Sequence, residues 1–479
     1  MAAVHVRFER GTLALDGPGV ESLPGVLWDP RTVGYRAAAY RFTALAAHLD
    51  ALGAELGGDL RRGWEAHPRA DLELGLRSYQ SQALVAWSAF DRRGVVALPT
   101  GAGKTRIAIA AIASAGLPAA VLCPTRVLAT AWRIELERWL GGPIGMLGDG
   151  EHRVERITVM TFESAYRHMD SLGDRFGLLV VDEVHHFGCG ARLEALEACA
   201  ATARLGLTAT APPRGSVPAE RLDDAVGPVV FELGFRDLVG THLAPLTITR
   251  VSLKLDAEER ALYERGARRF REMSSAFRRA YPGADYASLA RALGETAEGR
   301  RALRDHGRAQ ELASFPRAKR RFVYELLAEH QEDRSIVFTA FAENAYCVAR
   351  DSLIPVIAAE TSAGERERIL EHFREGRVRA IASARVLNEG VDIPDARVAI
   401  IVAGTMGDRE HIQRIGRVLR PAPDKRALVY ELVTADTLDE RRARTRGTHA
   451  RGATAGISTI GTRPGDERRA DRPHLALVR

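Results

Sequence analysis

Lysine is the scarcest charged residue in this chain. Of its 68 basic residues, four are lysines and 64 are arginines, and one of the four, Lys104, follows an apolar run within the segment Leu98-Pro-Thr-Gly-Ala-Gly-Lys-Thr105. Lysine carries a compact point charge, whereas arginine presents a planar fork. A lysine inside a glycine-rich segment of an arginine-dominated chain therefore indicates a position that needs a point charge. Lys254, Lys319 and Lys425 stand in no comparable pattern.

Cysteines are also few, and they are scattered. None forms a Cys-x-x-Cys pair, which argues against a zinc ribbon, an iron–sulfur cluster or a disulfide framework and fits a reducing compartment such as the cytoplasm. The four are Cys123, Cys189, Cys199 and Cys347.

Long hydrophobic runs are missing as well. The N-terminus has no apolar stretch of signal-peptide length. The uncharged stretch 107–123 is divided by Gly116 and Pro118 into a helix and a strand. The sequence therefore predicts no membrane span.

The net charge is modest for a chain of this length. The 68 basic residues face 62 acidic ones, giving a formal charge of +6 and a pI near 9.3. Local arginine clusters leave a polyanionic partner plausible, although charge alone does not establish one. A length of 479 residues predicts two or three domains.

The glycine-rich segment has the composition of a phosphate-binding loop. Its glycines allow backbone N–H groups to turn toward phosphates, Lys104 would meet the outer phosphates, and the Thr105 hydroxyl would hold Mg²⁺. The strict pattern has glycine where this chain has Leu98, so a glycine-rich turn without a ligand is the alternative. The expected ATP-binding residues here are Thr100, Gly101, Ala102, Gly103, Lys104 and Thr105.

Paired carboxylates follow a second apolar strand. In Leu178-Leu-Val-Val-Asp-Glu-Val-His185, Asp182 is predicted to orient Mg²⁺ and Glu183 to polarise the attacking water. Acids after a strand are also common as helix N-caps. The adjacent His185 and His186 are better explained by a role in relaying nucleotide state than by zinc, because no third ligand lies nearby.

An arginine-bearing helix is predicted near the end of the second apolar block. In 411–420, Gln413, Arg417 and Arg420 share one helical face, from which the arginines could stabilise charge on a transferring phosphate. A solvated basic face is the alternative.

Apolar runs that alternate with helical stretches predict an α/β fold with parallel sheets covered by helices. Residues 1–72 form a small α+β unit, with a hairpin followed by a helix over 37–52. The first sheet block spans 73–240 and the second 241–435, interrupted by an arginine-rich helical segment at 256–315. The tail 436–479 is basic and is predicted to be flexible. The predicted strands are 95–98, 119–123, 157–160, 178–181, 335–338, 378–382, 397–402 and 427–430.

Four motifs occur in the order that is typical of superfamily-two nucleic-acid helicases and translocases, which the chain therefore resembles. They are Gly-x-Gly-Lys-Thr, Asp-Glu-Val-His, Thr208-Ala-Thr210 and the arginine helix. Four further segments narrow the resemblance to the prokaryotic XPB family: 76–80, 386–394, 430–432 and 28–38, which read LRSYQ, VLNEGVDIP, YEL and WDPRTVGYRAA. The resemblance spans about residues 1–435. It implies two RecA-like lobes, an N-terminal damage-recognition-like domain and a thumb-like insertion at 256–315.

The resemblance also implies roles for individual residues. Gln80 would read the adenine edge, and Gly390 and Asp392 would contribute to the nucleotide site. Nucleic-acid contacts are expected from Thr125, Arg126 and Thr161 in the first lobe, Thr339 in the second, and Arg268 and Arg269 in the insertion. In the insertion, residues 260–280 carry seven arginines and two glutamates, which suits phosphate contact.

One motif departs from the family pattern. XPB relatives carry Arg-Glu-Asp shortly after Thr-Ala-Thr, where this chain reads Ala211-Pro-Pro-Arg-Gly-Ser216. Arg214 remains and both acids are missing. We therefore still expect ATP hydrolysis and tracking along DNA. Strand separation is expected less strongly, because the missing acids belong to a motif implicated in opening the duplex.

The expected function is that of a monomeric, ATP- and Mg²⁺-dependent DNA translocase or helicase of XPB type, moving three-prime to five-prime on single-stranded or forked DNA, with a nuclease as a possible companion. Two alternatives stay open. One is a superfamily-two motor of a restriction or phage-defence system, which should lack the 28–38 segment. The other is a DNA-damage binding module that uses ATP as a switch and unwinds nothing.

Overall fold

The computed structural model describes residues 3–51, 55–57, 60, 64–67, 72–148, 150–188, 190–238, 245–384, 396–402, 427–443 and 457–461. These residues form two compact units, one ending at Leu238 and the other beginning at 245. The first unit holds the N-terminal domain and one parallel sheet. The second holds another parallel sheet and the helical insertion.

The N-terminal domain is a five-stranded sheet covered by one helix. Its elements are β1 (Ala3–Glu9), β2 (Thr12–Asp16), β3 (Leu27–Asp29), β4 (Gly34–Ala38), α1 (Phe42–Ala51) and β5 (Glu55–Gly57). The strand order is β3-β4-β2-β1-β5, with β5 parallel to β1 and the other pairs antiparallel. The predicted hairpin is therefore confirmed. The predicted helix over 37–52 begins too early, because Ala37 and Ala38 complete β4 and α1 starts at Phe42.

A core of alternating residues holds this domain together. Val4 and Val6 of β1 and Leu13 and Leu15 of β2 face inward and are buried with Phe42 of α1. Alternation with period two is what places the apolar residues of a strand on one face.

The first parallel sheet has eight strands, in the order β13-β6-β12-β11-β7-β10-β8-β9. All neighbours are parallel except β8 and β9. Its elements are α2 (Ser78–Ala89), β6 (Arg93–Ala97), α3 (Lys104–Ala115), β7 (Ala119–Cys123), α4 (Arg126–Leu140), β8 (Ile144–Gly148), β9 (Glu151–Arg153), β10 (Ile157–Thr161), α5 (Phe162–Leu172), β11 (Leu178–Val181), α6 (Glu194–Glu197), β12 (Ala203–Thr208), α7 (Val217–Ala225), β13 (Val229–Glu232) and α8 (Phe235–Leu238).

The central strands β7 and β11 are apolar throughout because helices cover both faces of the sheet. Every residue of β7, β11 and β12 is buried. Among them is Arg204 of β12, whose guanidinium donates to the backbone carbonyls of Ala201, Leu196, Ala225 and Cys199. Burial lowers the Arg204 pKa to about 10.

The N-terminal domain packs directly on the first parallel-sheet lobe. At the β1–β2 turn, Gly11 (φ +76°) lies so close to Ala198 that a Cβ at this position would be 2.9 Å from the Ala198 Cβ. Tyr40 Oη donates to Asp224 Oδ2 at 2.6 Å, and the Trp64 indole N–H donates to the Asp174 carbonyl at 2.8 Å.

The second unit contains a seven-stranded parallel sheet in the order β16-β17-β15-β18-β19-β14-β20. Its elements are β14 (Leu246–Leu253), α9 (Ala257–Ala280), α10 (Tyr286–Glu295), α11 (Ala297–Ser314), α12 (Arg317–Glu329), β15 (Ser335–Thr339), α13 (Ala342–Ser352), β16 (Val356–Ile357), α14 (Ala363–Arg374), β17 (Ala380–Ala384), β18 (Val398–Ile401), β19 (Ala427–Thr434) and β20 (Ile457–Gly461).

Helices α9, α10 and α11 make up the predicted insertion, and its two ends are tied together. Arg317, just after the insertion, donates to Asp256 at 2.9 Å and to Glu258 at 2.9 Å, both at the start of α9. Buried Glu259 accepts from the backbone N–H of Arg317 at 2.8 Å. These contacts join the start of α9 to the residue that follows α11.

The tail was predicted to begin at residue 436, but the folded part of the chain extends beyond that position. Thr437 and Asp439 are buried, and β20 pairs with β14. The reason is a buried ion pair in which Lys319 Nζ lies 2.7 Å from Asp439 Oδ2. Lys319 is completely buried and also donates to the Val402 carbonyl at 2.5 Å.

No described helix is both long enough and apolar enough to cross a membrane. The uncharged stretch 107–123 divides between α3 and β7, as predicted. Gly116 ends α3 in a left-handed conformation (φ +62°), which glycine adopts without steric cost.

Candidate active site

The glycine-rich loop connects the carboxyl end of β6 to the N-terminus of α3. Gly101 (φ +87°) and Gly103 (φ +76°) adopt left-handed backbone conformations, which turn the chain into the helix. Leu98 has its side chain fully buried and its N–H bonded to the Thr208 carbonyl at 2.9 Å, so it continues the strand. The missing glycine at this position is therefore explained, because the turn begins only after Pro99.

Two side chains from α2 hold the loop in place. Tyr79 Oη donates to the Ala102 carbonyl at 2.7 Å, and Gln80 Nε2 donates to the same carbonyl at 2.9 Å. Gln80 Oε1 in turn accepts from the Arg77 N–H at 2.9 Å. Gln80 is buried and supports the loop in this conformation, and its reading of an adenine edge stays a prediction. Tyr79 was missed from the sequence, although its position beside Gln80 was the available signal.

The loop fits the phosphates of a nucleotide with Mg²⁺. The Thr100 hydroxyl is buried and has no hydrogen-bond partner among the described residues, so a polar group is left to be satisfied. The first turn of α3 presents backbone N–H groups beside it. Lys104 Nζ donates to the Leu98 carbonyl at 3.0 Å, which holds its charge within the loop, and Thr105 follows on the same turn.

Asp182 follows β11 and is held by two donors. The Trp132 indole N–H donates to Asp182 Oδ2 at 3.0 Å, and the Glu183 N–H donates to Oδ1 at 3.0 Å. Burial raises the pKa of the Asp182 carboxyl, while the Trp132 hydrogen bond and the Lys104 charge act in the opposite direction. Lys104 and Asp182 thus belong to one electrostatic site. Trp132, on α4, was missed because nothing in the sequence links it to residue 182.

Glu183 has a left-handed backbone (φ +48°), which is unusual for a residue with a side chain and is typical of strained functional positions. Next to it, His185 Nδ1 lies 3.0 Å from Thr208 Oγ1, and Thr208 Oγ1 accepts from the Thr210 N–H at 3.1 Å. A hydrogen-bonded connection therefore runs from the carboxylate segment to Thr-Ala-Thr. The sequence predicted a relay for the histidine pair, and this contact supplies a path for it.

Thr125 and Thr161 both cap helices at the carboxyl edge of the sheet. Thr125 Oγ1 accepts from the Leu128 N–H at 3.3 Å, and Thr161 Oγ1 from the Ser164 N–H at 3.2 Å. The strands that precede them, β7 and β10, are neighbours, so both helix N-termini and Arg126 lie on one side of the sheet. Helix N-termini attract phosphate groups, which agrees with the predicted nucleic-acid contact without testing it.

The other predicted nucleic-acid residues differ in exposure. Thr339 is fully buried and its hydroxyl donates to the Phe341 carbonyl at 2.9 Å, so the structure does not support it as a direct contact. The reason is that β15 is a central strand, and its last residue points into the core. Arg268 is exposed on α9, and Arg269 lies 3.8 Å from Glu298 in an exposed ion pair.

Five predicted site residues lie outside the described residues, namely Gly390, Asp392, Gln413, Arg417 and Arg420. The segment that replaces Arg-Glu-Asp is described. Arg214 is exposed there, and Ser216 caps α7 by accepting from the Ala219 N–H at 3.4 Å. The local sequence thus forms a helix start in place of an acidic motif.

Three family models match the chain in order. "Xeroderma pigmentosum group B helicase damage recognition domain" matches residues 6–57, "Type III restriction enzyme, res subunit" matches 73–213, and "Helicase conserved C-terminal domain" matches 318–422.

Two curated relatives are similar over most of the chain. The DNA 3′-5′ translocase XPB2 of Sulfurisphaera tokodaii is 32% identical over 444 residues, covering 92% of this chain and 99% of the relative. The DNA 3′-5′ helicase XPB of Mycobacterium tuberculosis is 29% identical over 400 residues, covering 79% of this chain and 64% of the relative. The chain thus spans less than two thirds of the mycobacterial protein.

A solved structure shares the fold. Saccharomyces cerevisiae Dbp5 bound to RNA and ADP BeF3 aligns with a TM-score of 0.55 at 15% identity, covering 80% of this chain and 89% of that chain. At this identity the similarity concerns the fold alone. It agrees with two helicase-type parallel-sheet lobes, as the sequence predicted.

Proposed function

This chain belongs to the XPB family of superfamily-two DNA helicases and translocases, and we propose that it hydrolyses Mg²⁺-bound ATP at the site around Lys104 and Asp182 to move along DNA. The observation that carries this proposal is the convergence of the left-handed glycine loop, Lys104 and buried Asp182 in one electrostatic site at the carboxyl edge of a parallel sheet. That edge is where α/β folds bind nucleotides.

Bound Mg²⁺–ATP would supply a reactive phosphate whose charge is partly neutralised by the metal. Lys104 would bind the outer phosphates, while Thr105 and Asp182 would hold the Mg²⁺. Glu183 would orient the attacking water. We also propose roles in the nucleotide site for five residues of the later motifs, namely Gly390, Asp392, Gln413, Arg417 and Arg420.

The proposed nucleic-acid side of the motor uses Thr125, Arg126 and Thr161 in the first unit. Their helix N-termini would grip backbone phosphates, and Arg268 and Arg269 would add contacts from the insertion. The path from His185 to Thr208 would report the state of the nucleotide site to neighbouring loops. Three-prime to five-prime movement along DNA is proposed because the two relatives are a DNA 3′-5′ translocase and a DNA 3′-5′ helicase.

The test is ATP turnover with and without single-stranded and forked DNA. We expect DNA to stimulate turnover, and we expect Glu183→Gln to reduce kcat by about 10²–10⁴-fold while nucleotide binding remains, because the water loses its orienting base. Lys104→Ala should weaken both nucleotide binding and turnover.

The matched control for Lys104→Ala is Lys254→Ala, which removes an exposed lysine of the second unit. The control for Glu183→Gln is Glu163→Gln, at an exposed position on α5. Full turnover in both site variants would contradict the assignment of the site.

A motor for restriction or phage defence is the closer rival. The family model that matches 73–213 takes its name from a restriction enzyme subunit, but that match covers only the first sheet lobe. The match of 6–57 to the XPB damage-recognition model favours repair of damaged DNA.

The more distant rival is a damage-binding module that uses ATP as a switch. A strand-displacement assay on forked DNA, run beside an assay for movement on duplex, separates the possibilities. Because Ser216 and its neighbours replace the acidic motif, we expect movement with weak strand separation. Robust displacement by the isolated chain would contradict weak unwinding, whereas a bound nucleotide without turnover would favour the switch.

A monomeric state, a nuclease companion and a cytoplasmic location remain proposals. Size-exclusion chromatography with light scattering, with and without DNA, tests the first of these.

A further inference from the structure

A cavity of about 650 Å³ lies within the second unit, between the helical insertion and the residues that follow β19. Its lining comes from α9, α10, α11 and residues 436–442. It involves none of the residues proposed for ATP binding or for nucleic-acid contact. A cavity of this size is in the range of small-ligand sites.

Positive charge dominates the lining. Four guanidinium groups, from Arg271, Arg278, Arg441 and Arg442, line the cavity, and Asp436 is the sole carboxylate among the described lining residues. Asp436 lies 3.7 Å from Arg260 in an ion pair, so its charge is already partly balanced. Within the described part of the chain, Arg271 and Arg278 form no ion pair. The cavity therefore favours an anionic group.

Aromatic rings form much of the remaining wall. Phe270 is stacked on His306, with ring centroids 3.8 Å apart and an interplanar angle of 11°. Tyr263 is buried beside them, while Tyr286 is 60% exposed at the entrance. Aromatic faces beside guanidinium groups are the combination that binds unpaired bases together with their phosphates.

Hydrogen-bonding groups lie among these rings. His306 Nε2 is 2.5 Å from Gln310 Nε2, and Gln310 Oε1 accepts from Arg442 at 3.5 Å. Because the Gln310 amide donates to Nε2, the neutral imidazole carries its proton on Nδ1. His306 is 95% buried, and its Nδ1 atom is buried without a hydrogen-bond partner among the described residues. A buried donor is thus left unsatisfied at the wall of the cavity.

We propose that this cavity receives one unpaired nucleotide of the DNA, with its base on the exposed Tyr286 ring beside the buried Phe270–His306 pair and its phosphate on the arginines. The inference rests on the proposed DNA-motor function and extends it to an unpaired substrate. A base within a duplex is stacked on both faces and cannot enter such a cavity without leaving the stack. Selectivity for single-stranded over duplex DNA follows.

The experiment compares two tyrosines of equal exposure in the full chain. Tyr286 lines the cavity and Tyr281 does not, and each is 60% exposed. We expect Tyr286→Ala to weaken binding of a single-stranded oligonucleotide about five-fold or more, and Tyr281→Ala to change it less than about two-fold, because only the former loses a stacking face. Binding of the same sequence as a blunt duplex should be equal in both variants.

The arginines supply a second matched pair. Arg278 lines the cavity, whereas its exposed neighbour Arg279 does not. A single-stranded probe containing 2-aminopurine reports unstacking and restacking of one base. We expect wild type and Arg279→Gln to give the same change in 2-aminopurine fluorescence, and Arg278→Gln and Tyr286→Ala to reduce it.

Three probes separate the possible ligands: the single strand, the duplex and deoxyadenosine monophosphate alone. Binding of the monophosphate that Tyr286→Ala abolishes supports a nucleotide-unit site, and so does selective loss of single-strand binding. Equal effects of the two tyrosine variants on single-strand binding would overturn the inference.

Wild-type ATP turnover with duplex DNA is measured in parallel, so that the two proposals can fail separately. If duplex DNA stimulates turnover and the two tyrosine variants bind single-stranded DNA equally well, the cavity inference is wrong while the motor proposal is retained. If neither form of DNA binds or stimulates turnover, the motor proposal fails, and the cavity inference fails with it.

Discussion

Trp132 shows how a single side chain can orient a carboxylate that lies far from it along the chain. Its indole N–H bonds one oxygen of Asp182, and the Glu183 N–H bonds the other, so the carboxylate has a defined orientation. Groups that orient a metal-binding carboxylate in this way usually contribute substantially to metal affinity. Trp132 lies on α4, the helix that Thr125 caps, so this contact also links the proposed DNA side to the proposed Mg²⁺ ligand.

Substituting Trp132 with Phe should keep the packing and remove the hydrogen bond. We expect the Mg²⁺ concentration for half-maximal ATP turnover to rise about 10-fold or more, because Asp182 loses its orienting donor. The control is Trp139→Phe on the same helix, where the indole N–H donates to Glu135 and not to Asp182. A Mg²⁺ requirement that is the same in both variants would contradict the positioning role, and circular dichroism checks that both fold.

At the scale of elements, α9 and α11 form the body of the insertion and pack closely. A Cβ at Gly266 would lie 2.7 Å from the Asp305 carbonyl oxygen. The two helix backbones are therefore too close at this point for any residue with a side chain. His306 of α11 stacks on Phe270 of α9 one turn away. Burial, with a smaller contribution from Arg442, lowers the His306 pKa to about 4.

This pKa makes the stability of the insertion depend on pH. A histidine in the unfolded chain has a pKa near 6.5. As the pH falls below that value, the unfolded state therefore binds a proton that the folded state does not bind. Stability is fully present above the unfolded pKa, declines below it, and stops declining below the folded pKa of about 4. We expect the urea midpoint of the second unit to fall between about pH 7 and pH 5.

The comparison variant is His306→Phe, which retains a ring against Phe270 and cannot titrate. Its urea midpoint should change less over the same pH interval. If wild type and variant lose stability in parallel, other groups are responsible for the pH dependence.

At the scale of the whole chain, each compact unit joins segments that are distant in sequence. In the first unit, Tyr40 and Trp64 bond Asp224 and the Asp174 carbonyl, which brings the N-terminal domain onto the first sheet lobe. In the second unit, Lys319 and Asp439 are separated by 120 residues and meet in the core. Thr434 also donates its N–H to Asp439 at 3.0 Å, so the end of β19 is part of the same network.

Lys319→Met should destabilise the second unit by about 3–5 kcal/mol, because it leaves the Asp439 carboxylate buried without its cation. Lys254→Met, at an exposed lysine of the same unit, should have little effect. Urea unfolding followed by circular dichroism measures both. The double variant Lys319→Met with Asp439→Leu should recover part of the loss, and a double variant no better than the sum of the single ones would contradict a direct ion pair.

Much of the architecture could be predicted because it follows from local patterns. The strands at 119–123 and 178–181 have the predicted bounds, and the phosphate loop lies between β6 and α3 as expected. Buried strands are short apolar runs, and the spacing of glycines constrains a turn. Both features can therefore be predicted from a few neighbouring residues. The α1 start was wrong because β4 and a short turn use residues that are also good helix formers.

The partners of individual side chains could not be read in the same way. Four such contacts depend on segments that folding brings together. Trp132 bonds Asp182, Tyr79 bonds the phosphate loop, the Thr339 hydroxyl turns inward, and Lys319 pairs with Asp439. Sequence periodicity specifies which face of an element is buried, but not which distant residue it meets. Hydrogen bonds and ion pairs are formed within a few ångströms, and only the packing of the sheets and helices determines those distances.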